Sequence, residues 1–568
     1  MYNEVDYWKF SYSKKEGRML WRATIHIAVL SIILISLLSQ PDGTQAKQQT
    51  PEITGWVRFT PSIIWCGDTV KAEFHAVGSD EIDRVQLWDP WFKAKAMLYD
   101  DGANGDLVAG DNVFTVENIR PNCDPSAINY VNGLAGTAHF FADIFLEDKR
   151  VIARVNVNGI TYDVGVVDPS LKGVFQIQDF GDGLTATAYA FFIEDSRHEV
   201  MDDYPVANVY CGTTNFNAYR KLYSVLPDEF DFASVMPGLL IYRPQELEIN
   251  VPYAIRVSND VRHIGVPVFD SSAKFGSDGR LKATIYHDFG HISIMDHELG
   301  HTWGMEIGDS SQGLLDGSTG HFVALSDLGG QMGGIYLSPG YFDNPGAFDP
   351  GRIGGHFADN GDGTWRLIPN TEILPYSPLE LYVMGLIPAS EVPPIHILES
   401  PDLTDPEHVQ ANIVRTITIE DILRVEGGER IPSVADSQKD FNLAFIVTQD
   451  VPFNEAAYAF FSILSMELMS KDGPDKRTAN APFYWATGGR ATLNTRLPVD
   501  LPEPALPQPT PSPVPPIEVL PPASTESQPG VDSEPNGGSG PSGVSCAALP
   551  AALVLVVSGR TWRRKRNK

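Results

Sequence analysis

The sequence predicts a multidomain chain in which an all-β sandwich is followed by an α+β domain. Three observations carry that expectation. Between about residues 50 and 165, apolar and polar residues alternate in short runs separated by turn residues; from about 170 to 500, strand-like runs mix with helical stretches; beyond 500 the composition turns to Pro, Ser and Gly. With 568 residues, 43% of them hydrophobic and 10% aromatic, the chain can bury at least two cores, and its 20% charged content is ordinary for a globular protein.

Residues 1–46 read as a leader. Arg18 and Arg22 precede the apolar run 25–38, which only His26, Ser31 and Ser36 interrupt, and Thr44-Gln45-Ala46 offers small residues for cleavage. Removal after Ala46 is the expectation, with a retained N-terminal anchor as the alternative and Met19 as an alternative start.

Residues 47–168 form the expected sandwich. Trp56–Thr60, Thr69–Val77, Asp83–Trp88 and Val151–Val157 alternate as half-buried strands. The stretch from Tyr99 to Thr115 resembles an acidic hairpin of bacterial immunoglobulin-like or fibronectin-like surface domains. That resemblance implies an Ig-like sandwich. Asp100, Asp101, Asp106 and Asp111 in it offer hard oxygens to Ca2+, or simply form turns. Cys66 and Cys123 fall in one domain and can close a disulfide, which leaves Cys211 over.

Residues 169–500 hold the chemistry. Ala188–Ile193 and Gly238–Tyr242 are apolar runs, and Gly279–Tyr286 alternates as a strand. Then comes His297-Glu298-Leu299-Gly300-His301. On a helix, His297 and His301 project from one face and can share a zinc ion, while Glu298 lies beside the water that such an ion activates. The alternative is a chance match on an ordinary helix. The neighbours Ile294, Met295, Thr302 and Trp303 are uncharged, as a buried site requires, and only Asp296 breaks the run.

With its flank, the stretch His-Glu-Leu-Gly-His-Thr-Trp-Gly resembles the zincin metallopeptidases and leans toward their metzincin clan. The resemblance implies a zincin-like α+β fold, a Zn2+ cofactor, peptide-bond hydrolysis with Glu298 as general base, and an edge strand, here 279–286, on which an extended substrate adds. It also implies that the helix ends at Gly304. A compact metzincin carries its third histidine where this chain has Ile307, so the third ligand comes from further on. His321, in Gly317-Ser-Thr-Gly-His-Phe, is the choice; Glu380 on a second helix, His356 and Asp309 remain alternatives. Tyr382-Val-Met-Gly resembles the methionine turn beneath the metal, which places Met384 either there or in the core. Tyr376 or Tyr382 is available to stabilise an oxyanion. Asp359-Asn-Gly-Asp-Gly reads as a turn, and Ala456–Met469 as a core helix.

Residues 501–545 form a Pro/Ser/Gly-rich stalk, and residues 546–568 a tail. Cys546, the apolar run 547–557 and six Lys/Arg within 560–568 resemble the tripartite C-terminal sorting signals of bacterial surface proteins. That implies an exported, membrane-anchored body, in contact with the membrane only through its terminal segments. Between residues 47 and 559 the chain holds 31 basic and 68 acidic residues, which would repel a phosphate backbone and exclude nucleic acid as a partner. Protein or peptide substrates are the expected partners. The rival classes are a non-catalytic adhesion or scaffold protein with a vestigial metal site, and a zinc hydrolase acting on another kind of bond.

Overall fold

Alternation in the first part of the chain becomes two facing sheets. In the computed structural model, residues 54–507 are described except 78–81, 89–93, 125–128, 132, 147–148, 152–161, 198, 201–215, 239–252, 288–291, 293–294, 305, 309–312, 316–320, 324, 334, 337–353, 370–374 and 474–481. The leader, the tail, most of the stalk, Cys211, Cys546 and Asp309 lie outside the described residues, and among those described no helix is long and apolar enough to cross a membrane. The described chain is β-rich with few helices.

Thr54–Thr60, Val70–Val77 and Val113–Ile119 pair as one antiparallel sheet. The other runs in the order Ile63–Trp65, Tyr162–Val167, Ala135–Leu146, Ile82–Trp88, Ala94–Leu98. Period-two alternation sends Phe59, Phe74, Leu87, Phe114, Phe140 and Val164 into one shared core. Cys66 and Cys123 are joined as a disulfide. In the acidic hairpin, Asp100 accepts from the N–H groups of Gly110 (2.5 Å) and Asn112 (2.8 Å), and Asp106 from those of Gly102 (2.6 Å) and Val108 (3.1 Å). Asp100, Asp106 and Asp111 each bring a carboxylate oxygen within 4.8 Å of the others; Asp101 is not in the group.

The second half is built on one mixed sheet. Its strands are β1 (Gln178–Gly181), β2 (Leu184–Ala186), β3 (Phe191–Glu194), β4 (Phe232–Pro237), β5 (Tyr253–Arg256), β6 (Ala283–Tyr286) and β7 (Asp440–Gln449), in the spatial order β1-β2-β3-β7-β4-β6-β5, with β8 (Thr492–Asn494) paired to the start of β7. Neighbours from β3 to β6 are parallel, and β5 closes the sheet antiparallel to β6. Among the described residues six helices accompany it: α1 (Asn217–Val225), α2 (Met295–Gly300), α3 (Pro378–Met384), α4 (Ile419–Glu426), α5 (Glu455–Leu468) and α6 (Phe483–Ala486). Both faces of the sheet are covered, which is why β7 is an unbroken buried run from Leu443 to Gln449. Phe232, Leu443 and Phe445 face α2 and α5, whereas Ala233, Val235, Ala444 and Ile446 face α1. The stretch Gly279–Tyr286 is not the edge. Only Ala283–Tyr286 is strand, all four residues are buried, and it lies between β4 and β5; among the described residues β5 is the edge strand on this side.

Helix α5 is shared by both halves. Phe460 and Phe461 belong to a core that also holds Ile63, Trp65 and Val167 from the sandwich and Phe192 and Phe445 from the mixed sheet. Asn454 caps α5 by accepting from the Ala457 N–H at 2.7 Å while its amide donates to the Ile63 carbonyl at 2.9 Å. Gly165 passes so close that a Cβ there would stand 3.2 Å from the Phe460 ring. At the far end the described part of the expected stalk, 501–507, lies on the body, with Leu506 against the same core and Glu503 accepting from Arg496 at 2.5 Å.

This shared helix makes a stability prediction. Phe460→Ala will cost about 3–5 kcal/mol and will lower the urea midpoint read from the sandwich and from the mixed sheet together. A sandwich signal that keeps its original midpoint would contradict the shared core.

Candidate metal centre

Helix α2 is short and divided by side. Met295 and Leu299 are buried in the core, while His297 and His301, one turn apart, are half-buried. A 3-10 turn, His301–Trp303, continues the helix, and Gly304 stops it with φ +71°; a Cβ there would lie 2.1 Å from Val266. Ile307, at the position of the compact clan's third histidine, is a fully buried core residue. His321 arrives from the chain beyond. Its neighbours are tied by main-chain bonds: Phe322 N–H to the Met332 carbonyl (2.9 Å) and Val323 N–H to the Leu314 carbonyl (2.8 Å).

The three imidazoles converge. Each offers a nitrogen within 4.8 Å of the others, and the ring centroids are 5.0–5.1 Å apart. His297 Nε2 and His321 Nε2 are 3.0 Å apart. Two nitrogens sharing a zinc at the usual bond length of about 2.0–2.1 Å would stand about 3.3 Å apart, so the donor set suits that ion. His297 Nδ1 lies 2.7 Å from the Gln331 carbonyl. A carbonyl only accepts, so Nδ1 carries the proton and Nε2 turns a lone pair toward the other two rings. Burial, helped by the neighbouring imidazoles, pulls His297 down to about 4 and His301 to about 2. Both rings are neutral at pH 7, the form in which imidazole can bind a metal.

Glu298 is buried, and burial pushes its carboxyl up to about 8, opposed by a hydrogen bond from the Ala254 N–H. That donor belongs to the sheet edge. Val257 N–H points inward to the Lys282 carbonyl at 2.7 Å, so by alternation Ala254 and Arg256 on β5 direct their main-chain groups away from β6. Asp296, also buried, is raised well above the carboxylate range by desolvation.

The other candidates are engaged elsewhere. Glu380 is the N3 residue of a capping box with Ser377, fully buried, and its carboxylate accepts from main-chain N–H groups instead of joining the histidines. His356 lies on the strand Gly354–Asp359 with its ring against Gly329, 3.3 Å from where a Cβ would be. Met384 is the last residue of α3, followed by the left-handed cap Gly385, and is buried in the main core. The Tyr376 hydroxyl is committed as a donor to the Asp296 carbonyl, whereas the Tyr382 hydroxyl accepts from the Arg430 N–H at 2.9 Å. Asp359-Asn-Gly-Asp-Gly is a turn, with Asp359 and Asp362 accepting from Gly361 and Thr364.

Sequence reasoning overlooked Gln331, Met332 and Ala254. Met332 is buried with its sulfur 3.1 Å from where a Cβ on Gly300 would be, next to His301. Its signal was a methionine inside the glycine-rich run Gly329-Gly330-Gln331-Met332-Gly333. Gln331 and Ala254 act through the main chain, for which side-chain identity gives no signal. No protein-family model matches the chain, and no curated protein matches it, so the histidines and Glu298 carry the functional argument by themselves.

The shifted groups set opposing pH limbs in the metal-free protein. Unfolding releases His297 to its ordinary value of 6.5, so its contribution is complete above that pH and is lost as pH falls toward about 4. Glu298 has the opposite sign: its contribution is complete below its ordinary 4.5 and is lost as pH rises through about 8. In urea titrations from pH 4 to 9, His297→Gln will flatten the acid limb and Glu298→Gln the alkaline limb. An alkaline limb unchanged in Glu298→Gln would mean that Glu298 does not titrate in this range.

Proposed function

We propose that this chain is an exported zinc-dependent peptidase that hydrolyses peptide bonds, with His297, His301 and His321 as metal ligands and Glu298 as general base. The observation that carries the reading is the convergence of three imidazoles, two of them on a short helix that also carries the buried Glu298. On this reading the N-terminal sheets are an Ig-like module, the residues from 169 on are a metzincin-like zincin domain, and the terminal segments keep the body at the cell surface.

Zinc at the three imidazoles would supply Lewis acidity, polarising the scissile carbonyl and acidifying the attacking water. The chain's own groups do the rest. Glu298 takes a proton from the attacking water and delivers it to the leaving amine. Its elevated pKa suits proton transfer near neutrality, and a cation at the histidines favours its carboxylate form. The outward main-chain groups of the strand β5 offer an extended peptide a partner beside the site. An adhesion or scaffold protein would have no use for a buried general base beside its ligands.

The purified protein will contain about one zinc per chain and lose peptide cleavage to chelators. Glu298→Gln will keep its zinc and lose at least about a hundredfold in turnover. Near-normal cleavage by that variant would place the base elsewhere, and cleavage by metal-free protein would overturn the zinc mechanism.

A further inference from the structure

The loop Gly329–Gly333 touches all three histidines' surroundings. The Gln331 carbonyl accepts from His297 Nδ1 at 2.7 Å, and the next carbonyl, that of Met332, accepts from the N–H of Phe322, the residue after His321, at 2.9 Å. The Met332 side chain packs against Gly300, beside His301.

One side chain holds that loop. The N–H groups of Gln331 and Met332 both donate to Glu380, at 3.3 Å to Oε2 and 2.5 Å to Oε1. Glu380 is completely buried, and its remaining partner of this kind is the Ser377 N–H at the cap of α3. A carboxylate out of contact with water is costly unless hydrogen-bonded, and these three donors from two separate segments supply that. The fit is close: Gly330, at φ +83°, would put a Cβ only 2.0 Å from Glu380 Oε2, so only glycine lets the loop lie on the carboxylate.

We propose that Glu380 is a positioning residue of the metal centre: through the main chain of residues 330–332 it holds the His297 tautomer and the placement of His321, and thereby sets metal affinity without touching the ion. The proposal rests on the reading of the three histidines as a metal centre. A carboxylate is required because both oxygens accept; an amide would set an N–H donor against a main-chain N–H.

The test is zinc affinity by competition with a chromophoric chelator, together with the visible spectrum of the Co2+-loaded protein, on the full chain. Glu380→Gln will bind zinc about 10–100-fold more weakly and shift the Co2+ bands, with the circular dichroism spectrum retained. Gly330→Ala, which keeps the Glu380 carboxylate but pushes the loop off it, will do the same; it serves as the second probe should Glu380→Gln fail to fold. Ser377→Ala will lower the melting temperature while leaving affinity and spectrum as in wild type, because it removes a hydroxyl cap and not a loop bond. Wild-type affinity and an unshifted Co2+ spectrum in a folded Glu380→Gln or Gly330→Ala would overturn the positioning role while leaving the metal centre intact. Wild-type protein that binds neither ion, or His321→Ala that binds both as wild type does, would instead overturn the metal-centre reading itself.

Discussion

Two imidazole nitrogens 3.0 Å apart cannot both carry a proton, and much of the second half of the molecule answers to that constraint. Between His297 and His321 one nitrogen must offer a lone pair, and His297 does so because its other nitrogen is committed to the Gln331 carbonyl. That commitment needs the carbonyl to stay where it is. The loop carrying it is pinned to Glu380, Glu380 is fixed within the capping box of α3, and α3 is buried among the aromatic and aliphatic side chains of the main core. A requirement at one pair of nitrogens is thus met by a chain of contacts that runs through the main chain before it reaches the hydrophobic interior.

Three buried carboxyl groups surround the histidines, and the donors each receives separate their roles. Glu380 takes three main-chain N–H bonds, two of them from the loop beside His297. Burial raises Glu298 and Glu380 alike above the ordinary carboxyl value. The donors tie Glu380 to the loop and the α3 cap, whereas Glu298, next to His297 in the chain, keeps a raised proton affinity. Asp296 is governed by desolvation alone and sits with its carbonyl bound by Tyr376.

The parts of this arrangement legible in the sequence were those written in side-chain identity at fixed spacing. His297, Glu298 and His301 follow from a helical repeat, and the sandwich strands from a repeat of two. His321 emerged from the need for another ligand, and the structure brings it beside the other two. What could not be read was long-range or main-chain in origin. The edge position of Tyr253–Arg256, in place of 279–286, depends on strand order, which alternation within one strand does not encode. Glu380 looked like a ligand because a buried acid near histidines has that chemistry, yet its oxygens face backbone donors 48 and 49 residues away. Tyr376 was plausible as a hydroxyl in a site until its partner, the Asp296 carbonyl, was seen to use it.

The sharing of α5 bears on how the chain could have been assembled. Sandwich modules are commonly regarded as interchangeable beads, joined or lost by recombination at their boundaries. Here the apolar flank of α5 is a surface that the following domain makes but does not cover alone; Ile63, Trp65 and Val167 complete it. Excising the sandwich would leave Phe460 and its neighbours open to water, a patch prone to self-association. The two halves are therefore tied as a unit of inheritance: any transplant of the histidine-bearing half to another protein would have to carry its N-terminal companion with it.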